Sequence, residues 1–159
     1  MKKYKSVFLW LAFIWYAVFL CEMLFIRRLP MRSINIVPLH SILLYMRVGG
    51  GLFAVNIVGN VIVFVPLGVY LAALKKCKNF FVSLLIVAAC SVSAEIVQYI
   101  FSVGVSDIDD VILNCVGGCI GIGGWKILSS ALKNENAVKN ITLVFAVMVT
   151  VLSAGVLLR

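Results

Sequence analysis

The acidic residues of this sequence are few and concentrated. Four of the six lie within sixteen positions, namely Glu95, Asp107, Asp109 and Asp110. Carboxylates can act as general acids or bases, and they supply the oxygen ligands that Mg²⁺ prefers. We take Glu95 and Asp110 as candidate catalytic groups, and the three aspartates as candidate ligands of a divalent cation. The aspartates could equally form a solvated loop and a helix cap, because Asp is favoured in the first turn of a helix.

Amide side chains recur at helical spacing, two of them close to these carboxylates in the sequence and two in an earlier apolar run. The candidates are Asn56, Asn60, Gln98 and Asn114. Gln98 follows Glu95 by three residues and Asn114 follows Asp110 by four, so each pair shares one helix face. Such amides could simply hydrogen-bond across helices, a contribution typically well under about 2 kcal/mol each in a membrane. Together with the carboxylates they also form a candidate ligand-binding set contributed by three helices.

A group of basic residues precedes this set in the chain. It consists of Arg27, Arg28, Arg32, His40 and Arg47. Such residues anchor a chain at lipid headgroups, or grip a phosphate or pyrophosphate. We include Arg32 and His40 among the candidate ligand-binding residues.

The composition indicates the environment in which these side chains must be positioned. Hydrophobic residues make up 64% of the 159 residues, charged residues only 13%, and the mean hydropathy is +1.14. Soluble domains are about 45–50% apolar and about 25% charged, so a water-soluble core cannot hide this much apolar surface. The net charge of +8 comes from Lys and Arg residues that flank apolar runs. We therefore expect the lipid bilayer, and no nucleic acid, as the partner.

Five apolar runs are long enough to cross a membrane, which takes about 20 residues. We place them at Ser6 to Ile26, Leu52 to Leu74, Phe80 to Phe101, Asp109 to Leu128 and Val138 to Leu158. The run from Ile34 to Met46 is shorter, so it predicts an interfacial or re-entrant piece. The glycine triplet at 49–51 would hinge this piece onto the second span. The prediction is an all-α, polytopic helical bundle that forms a single domain over residues 1–159.

The distribution of basic residues predicts the orientation. A cytoplasmic N-terminus puts nine of them on the cytoplasmic side, namely Lys2, Lys3, Lys5, Lys75, Lys76, Lys78, Lys126, Lys133 and Lys139. The outer side then receives five, namely Arg27, Arg28, Arg32, Arg47 and Arg159. Because basic residues concentrate on the cytoplasmic side, we expect the N-terminus inside and the acidic run facing outward.

Four sequence elements resemble the VanZ-like family of membrane proteins. They are INIVPL at 34–39, NIVGNVIVFVPLG at 56–68, EIVQ at 95–98 and DIDDVILNCVGGCIG at 107–121. Their order and spacing agree with the family pattern over about residues 34–125. Many members carry an arginine just before the acidic run, where this chain has Val105 and Ser106, so the resemblance carries over no arginine-dependent role at that spot.

The resemblance implies a multi-pass protein of the bacterial cytoplasmic membrane, linked to low-level resistance to glycopeptide antibiotics, teicoplanin above all. It implies candidate positions but no reaction, and these are Asn56, Asn60, Pro66, Glu95, Gln98, Asp110 and Asn114. Three functions stay open. The chain could bind an anionic lipid or lipid-linked cell-wall intermediate in an outward-facing polar pocket. It could instead be a metal-assisted enzyme acting on a lipid phosphate, or a proton or solute carrier that uses Glu95.

Overall fold

The computed structural model describes residues 2–26, 31–73, 79–132 and 135–157, and most of these residues are helical. The predicted all-α class is confirmed. The helices are α1 (Lys2–Cys21, continued by a π-helical stretch, Glu22–Ile26), α2 (His40–Val48), α3 (Gly50–Ala73), α4 (Phe80–Phe101), α5 (Ile108–Leu132) and α6 (Glu135–Leu157).

Helices α3, α4 and α5 have the length and hydropathy needed to cross a membrane. They correspond to the second, third and fourth predicted spans. Helices α1 and α6 coincide with the first and fifth, and their described apolar stretches are shorter, Trp10–Phe25 and Asn140–Ala154. Many large apolar side chains of the spanning helices point outward, as a lipid-facing surface requires.

Glycines bring α3 and α5 into backbone contact. A Cβ atom on Gly68 would collide with the carbonyl oxygen of Gly118, and one on Gly121 would collide with that of Val65. Small residues permit such close approach of helices where lipid offers no hydrophobic driving force. The glycines of the fourth span therefore pack against the backbone of the second span and fix the position of the polar side chains on both helices.

Helix α1 joins this core through its aromatic side chains. The buried Tyr16 hydroxyl donates to the carbonyl oxygen of Val63 in α3 at 2.6 Å. The Trp15 indole N–H donates to the Ser153 hydroxyl in α6 at 2.8 Å. Tyr16 also packs with Phe64 and Val87 in the apolar core, so α1, α3 and α4 share one interior.

Two short strands, which the sequence analysis did not predict, connect the loops at one end of the bundle. Strand β1 (Met31–Asn35) pairs in parallel with β2 (Val103–Asp107), and Asn35 lies opposite Asp107. The predicted interfacial piece consists of the end of β1, a turn and helix α2. The break between α2 and α3 falls at the predicted glycine triplet, where Gly49 and Gly50 have φ angles of 66° and 61°.

Candidate functional site

The N-terminus of α2 is capped by a carboxylate from α5. Asp109 accepts hydrogen bonds from the backbone N–H groups of Leu39 at 2.6 Å, Ser41 at 2.8 Å and Ile42 at 3.1 Å. The N-cap residue Leu39 has a left-handed conformation, and its side chain makes no capping hydrogen bond. The first N–H groups of a helix need outside acceptors and favour negative charge. Asp109, only 1% exposed, meets both needs and binds α2 to the membrane bundle.

Asp107 ties the same helix to the strand pair. Its Oδ2 accepts from the Ser41 hydroxyl at 2.5 Å, and its Oδ1 accepts from the Asn35 side-chain amide at 3.0 Å. The Asn35 amide also donates to Ser41 Oγ at 3.0 Å. The parallel register that puts Asn35 opposite Asp107 explains why these two side chains meet.

Glu95 completes a row of three buried carboxylates. Its Oε2 accepts from the backbone N–H of Asp107 at 2.7 Å, and Asp107 Oδ1 accepts from the backbone N–H of Asp109 at 2.9 Å. All three side chains are buried, although carboxylates are costly to bury unless they are hydrogen-bonded. We call Glu95, Asp107 and Asp109 the carboxylate clasp, since it joins α4, β2, α5 and the start of α2.

The remaining predicted residues form separate links between helices. Asn60 on α3 donates to Asp110 on α5 at 2.6 Å, and Asn114 on α5 donates to Ser91 on α4 at 2.8 Å. The Gln98 amide donates to the carbonyl oxygen of Leu24 at 2.9 Å. Within the described parts of the chain, the buried Gln98 Oε1 and Asn114 Oδ1 find no hydrogen-bond partner.

Two of the predicted residues stand apart from these links. Asn56 donates to the Leu52 carbonyl of its own helix, so it makes an ordinary local bond. His40, the first residue of α2, is exposed. The structure thus joins Asn60 to Asp110, and Glu95 to Asp107 and Asp109, without gathering all candidates into one pocket.

The carboxylates do not assemble into an evident metal centre. Among the residues that the structure describes, no three His, Cys, Asp or Glu side chains are placed to hold a metal ion. The oxygens of Asp109 already accept three backbone N–H groups, and Asp110 accepts from Asn60. The geometry therefore favours a supporting role for these carboxylates.

An exposed cation lies at the same end of the bundle. The Arg32 guanidinium lies 4.7 Å from the centre of the Tyr99 ring, and we call this pair the headgroup clamp. A guanidinium stacked on an aromatic ring is held in place while its N–H groups stay in the plane that binds phosphate oxygens. Arg47 is exposed on α2 nearby in the chain, whereas Arg27 and Arg28 lie outside the described residues.

The comparisons with known proteins agree with this architecture. A family model described as VanZ/LLP1 matches residues 7–129. The chain belongs to the VanZ/LLP1 family. It is also 33% identical over 97 residues to a protein named "Protein VanZ" from Enterococcus faecium. That alignment covers 61% of this chain and 60% of the relative, so it leaves a large part of the relative unmatched. No solved structure matches the chain.

Membership in the VanZ/LLP1 family and the three long apolar helices identify a membrane protein. The carboxylates of the clasp come from two of the family elements, those at 95–98 and 107–121. The element at 34–39 supplies Asn35, which donates to Asp107. Sequence reasoning missed Ser41 and Tyr99, whose roles depend on contacts with residues far away in the chain. The available signal for Ser41 was its position in the first turn of a helix that follows a proline.

Proposed function

We propose that this VanZ-like protein lies in the bacterial cytoplasmic membrane with its N-terminus in the cytoplasm. There it binds an anionic lipid or a lipid-linked envelope intermediate at its outward face, and it contributes to low-level resistance to glycopeptide antibiotics such as teicoplanin. The observation that carries the binding proposal is the headgroup clamp, an exposed guanidinium held over an aromatic ring at the end of a spanning helix.

The surroundings of the clamp support a location at the headgroup level. Helix α2 exposes Leu43, Leu44, Met46 and Val48 beside the exposed Arg47. Apolar residues combined with basic ones are typical of a helix that lies in the membrane interface. The carboxylate clasp fixes the start of this helix and, through the Asp107–Asn35 hydrogen bond, the end of the strand that carries Arg32.

The buried carboxylates explain why an anion can be accepted next to so many acidic groups. Asp107 and Asp109 direct their oxygens at backbone and side-chain donors inside the protein. The exposed surface at this end therefore presents Arg32, His40 and Arg47. Attraction between basic residues and anionic headgroups is about 1 kcal/mol for each Lys or Arg near the surface.

A susceptibility assay tests the proposed role in resistance. The chain would be expressed in a teicoplanin-susceptible bacterium beside the variants Arg32→Gln and Lys126→Gln, at equal amounts in the membrane. Lys126 on α5 is a matched control, because its ammonium group also lies over an aromatic ring, 5.4 Å from the centre of Phe80. Phe80 is at the opposite end of α4 from Tyr99. We expect the original chain and the Lys126 variant to raise the teicoplanin concentration that inhibits growth, relative to cells without the chain. The Arg32 variant should leave this concentration unchanged. Equal protection by all three chains would contradict the proposal.

A further inference from the structure

An apolar groove runs along the outside of the bundle between α4 and α5. Its volume is about 720 Å³, and apolar side chains and two thiols line it. Ala88 and Cys115 are small residues at its sides. Phe81 and Ile120 are large residues toward the end that is farther from Tyr99. Both helices are long enough to cross the membrane, so the groove faces lipid chains along its length.

The groove and the headgroup clamp lie on one face of α4. Phe81 and Tyr99 are eighteen residues apart, which is five full turns of an α-helix at 3.6 residues a turn. Val92 lies between the groove and Tyr99 on the same face and is exposed. A chain that descends from a phosphate at Arg32 therefore follows an apolar path into the groove.

The depth of the groove exceeds one leaflet. The Asn114–Ser91 hydrogen bond sets the antiparallel register of α4 and α5, so Val111, one turn before Asn114, lies near the level of Ala94. At 1.5 Å per residue the groove begins about 7 Å below Tyr99 and reaches Phe81 about 27 Å below it. One leaflet of a bilayer core of about 30 Å is only about 15 Å deep.

We propose that this groove holds a long polyprenyl chain whose phosphate binds at Arg32. The chain class follows from length, because the acyl chains of an outer-leaflet phospholipid end near the bilayer middle, whereas the groove continues well beyond it. This inference rests on the proposed function, since it uses the headgroup clamp as the phosphate site.

Binding measurements with two chain lengths test it. The purified 159-residue chain in detergent micelles would be titrated with a long-chain polyprenyl phosphate and with farnesyl phosphate. Farnesyl phosphate has the same headgroup and a tail too short to fill the groove. We expect the long chain to bind at least about tenfold more tightly, because it buries more apolar surface. Filling the groove with Ala88→Phe should remove this difference and leave the affinity for farnesyl phosphate unchanged. Cys115→Phe is a second groove-filling variant, should the first one fold poorly.

The control is Ala89→Phe, which puts the same ring on the neighbouring exposed position of α4, outside the groove. It should preserve the preference for the long chain. If both lipids bind with equal affinity and Arg32→Gln lowers both affinities, the phosphate site at the headgroup clamp is supported and the groove proposal is overturned. Full displacement of the long chain by an ordinary anionic phospholipid at equal concentration would also overturn the groove proposal. If Arg32→Gln weakens neither lipid, the proposed function fails, and this inference fails with it.

Discussion

At the residue scale, the buried carboxylates serve as acceptors for the protein's own donors. The sequence places Glu95, Asp107 and Asp109 inside a membrane protein, which makes a function for them the expected explanation. Their use as a clasp was only partly predictable. The sequence offers Asp109 as a cap for the helix that contains it, whereas Asp109 caps α2, some seventy residues earlier in the chain. Spacing along the sequence carries no signal for such a contact.

Replacing Asp109 by Ala should loosen α2 selectively. Three buried or half-buried N–H groups would lose their acceptor, which costs about 1–3 kcal/mol of the free energy of unfolding for each group left unsatisfied. We expect faster hydrogen exchange at Leu39, Ser41 and Ile42 in detergent, with α4 still protected. Ser93→Ala is the control, because the Ser93 hydroxyl bonds to the Ala89 carbonyl of its own helix. Unchanged exchange at the start of α2 would show that Asp109 does not hold it.

At the element scale, hydropathy predicted the second, third and fourth spans within a few residues, since run length decides whether a helix can cross lipid. The β1–β2 pair escaped prediction because its strands are five residues each and lie about seventy residues apart. The contact between α3 and α5 was anticipated in part. The glycines in the sequence of the fourth span are typical of a closely packed helix side, but their partner on the second span is visible only in the structure.

A pair of glycine substitutions tests this packing. Gly121→Ala should force α3 and α5 apart, because the added methyl group would collide with the Val65 carbonyl oxygen. Gly123→Ala is the matched control on the same helix, since its Cβ would meet no atom of the described chain within 4 Å. The control should be neutral or stabilise the helix by about 0.5–1 kcal/mol. We expect a lower midpoint of thermal unfolding in detergent for the Gly121 variant alone. Equal midpoints would contradict close packing at this point.

At the scale of the whole molecule, the two ends of the bundle differ in character. One end has the clasp, α2 and the headgroup clamp, and the other has Lys126 over Phe80. The positions of Lys and Arg predict which end faces outward, and this orientation stays a prediction. It could not predict the alignment of Tyr99 with the groove, which depends on how α4 and α5 pack together.

Reporter fusions test the orientation. The five crossings and the cytoplasmic N-terminus predicted from the sequence would put the C-terminus outside, so alkaline phosphatase fused there should be active and a fluorescent protein fused there should stay dark. A fluorescent C-terminal fusion with an inactive phosphatase would contradict the combination of five crossings and a cytoplasmic N-terminus.

Direct lipid binding by the purified protein is the most decisive measurement for the proposed headgroup site at Arg32 and Tyr99. Native mass spectrometry would compare phosphatidylglycerol with phosphatidylcholine of identical acyl chains, for the original chain, Arg32→Gln and Lys126→Gln. We predict saturable retention of the anionic lipid by the original chain and by the Lys126 variant, and its loss in the Arg32 variant. Equal retention of both lipids by all three chains would contradict a specific anionic headgroup site at Arg32 and Tyr99.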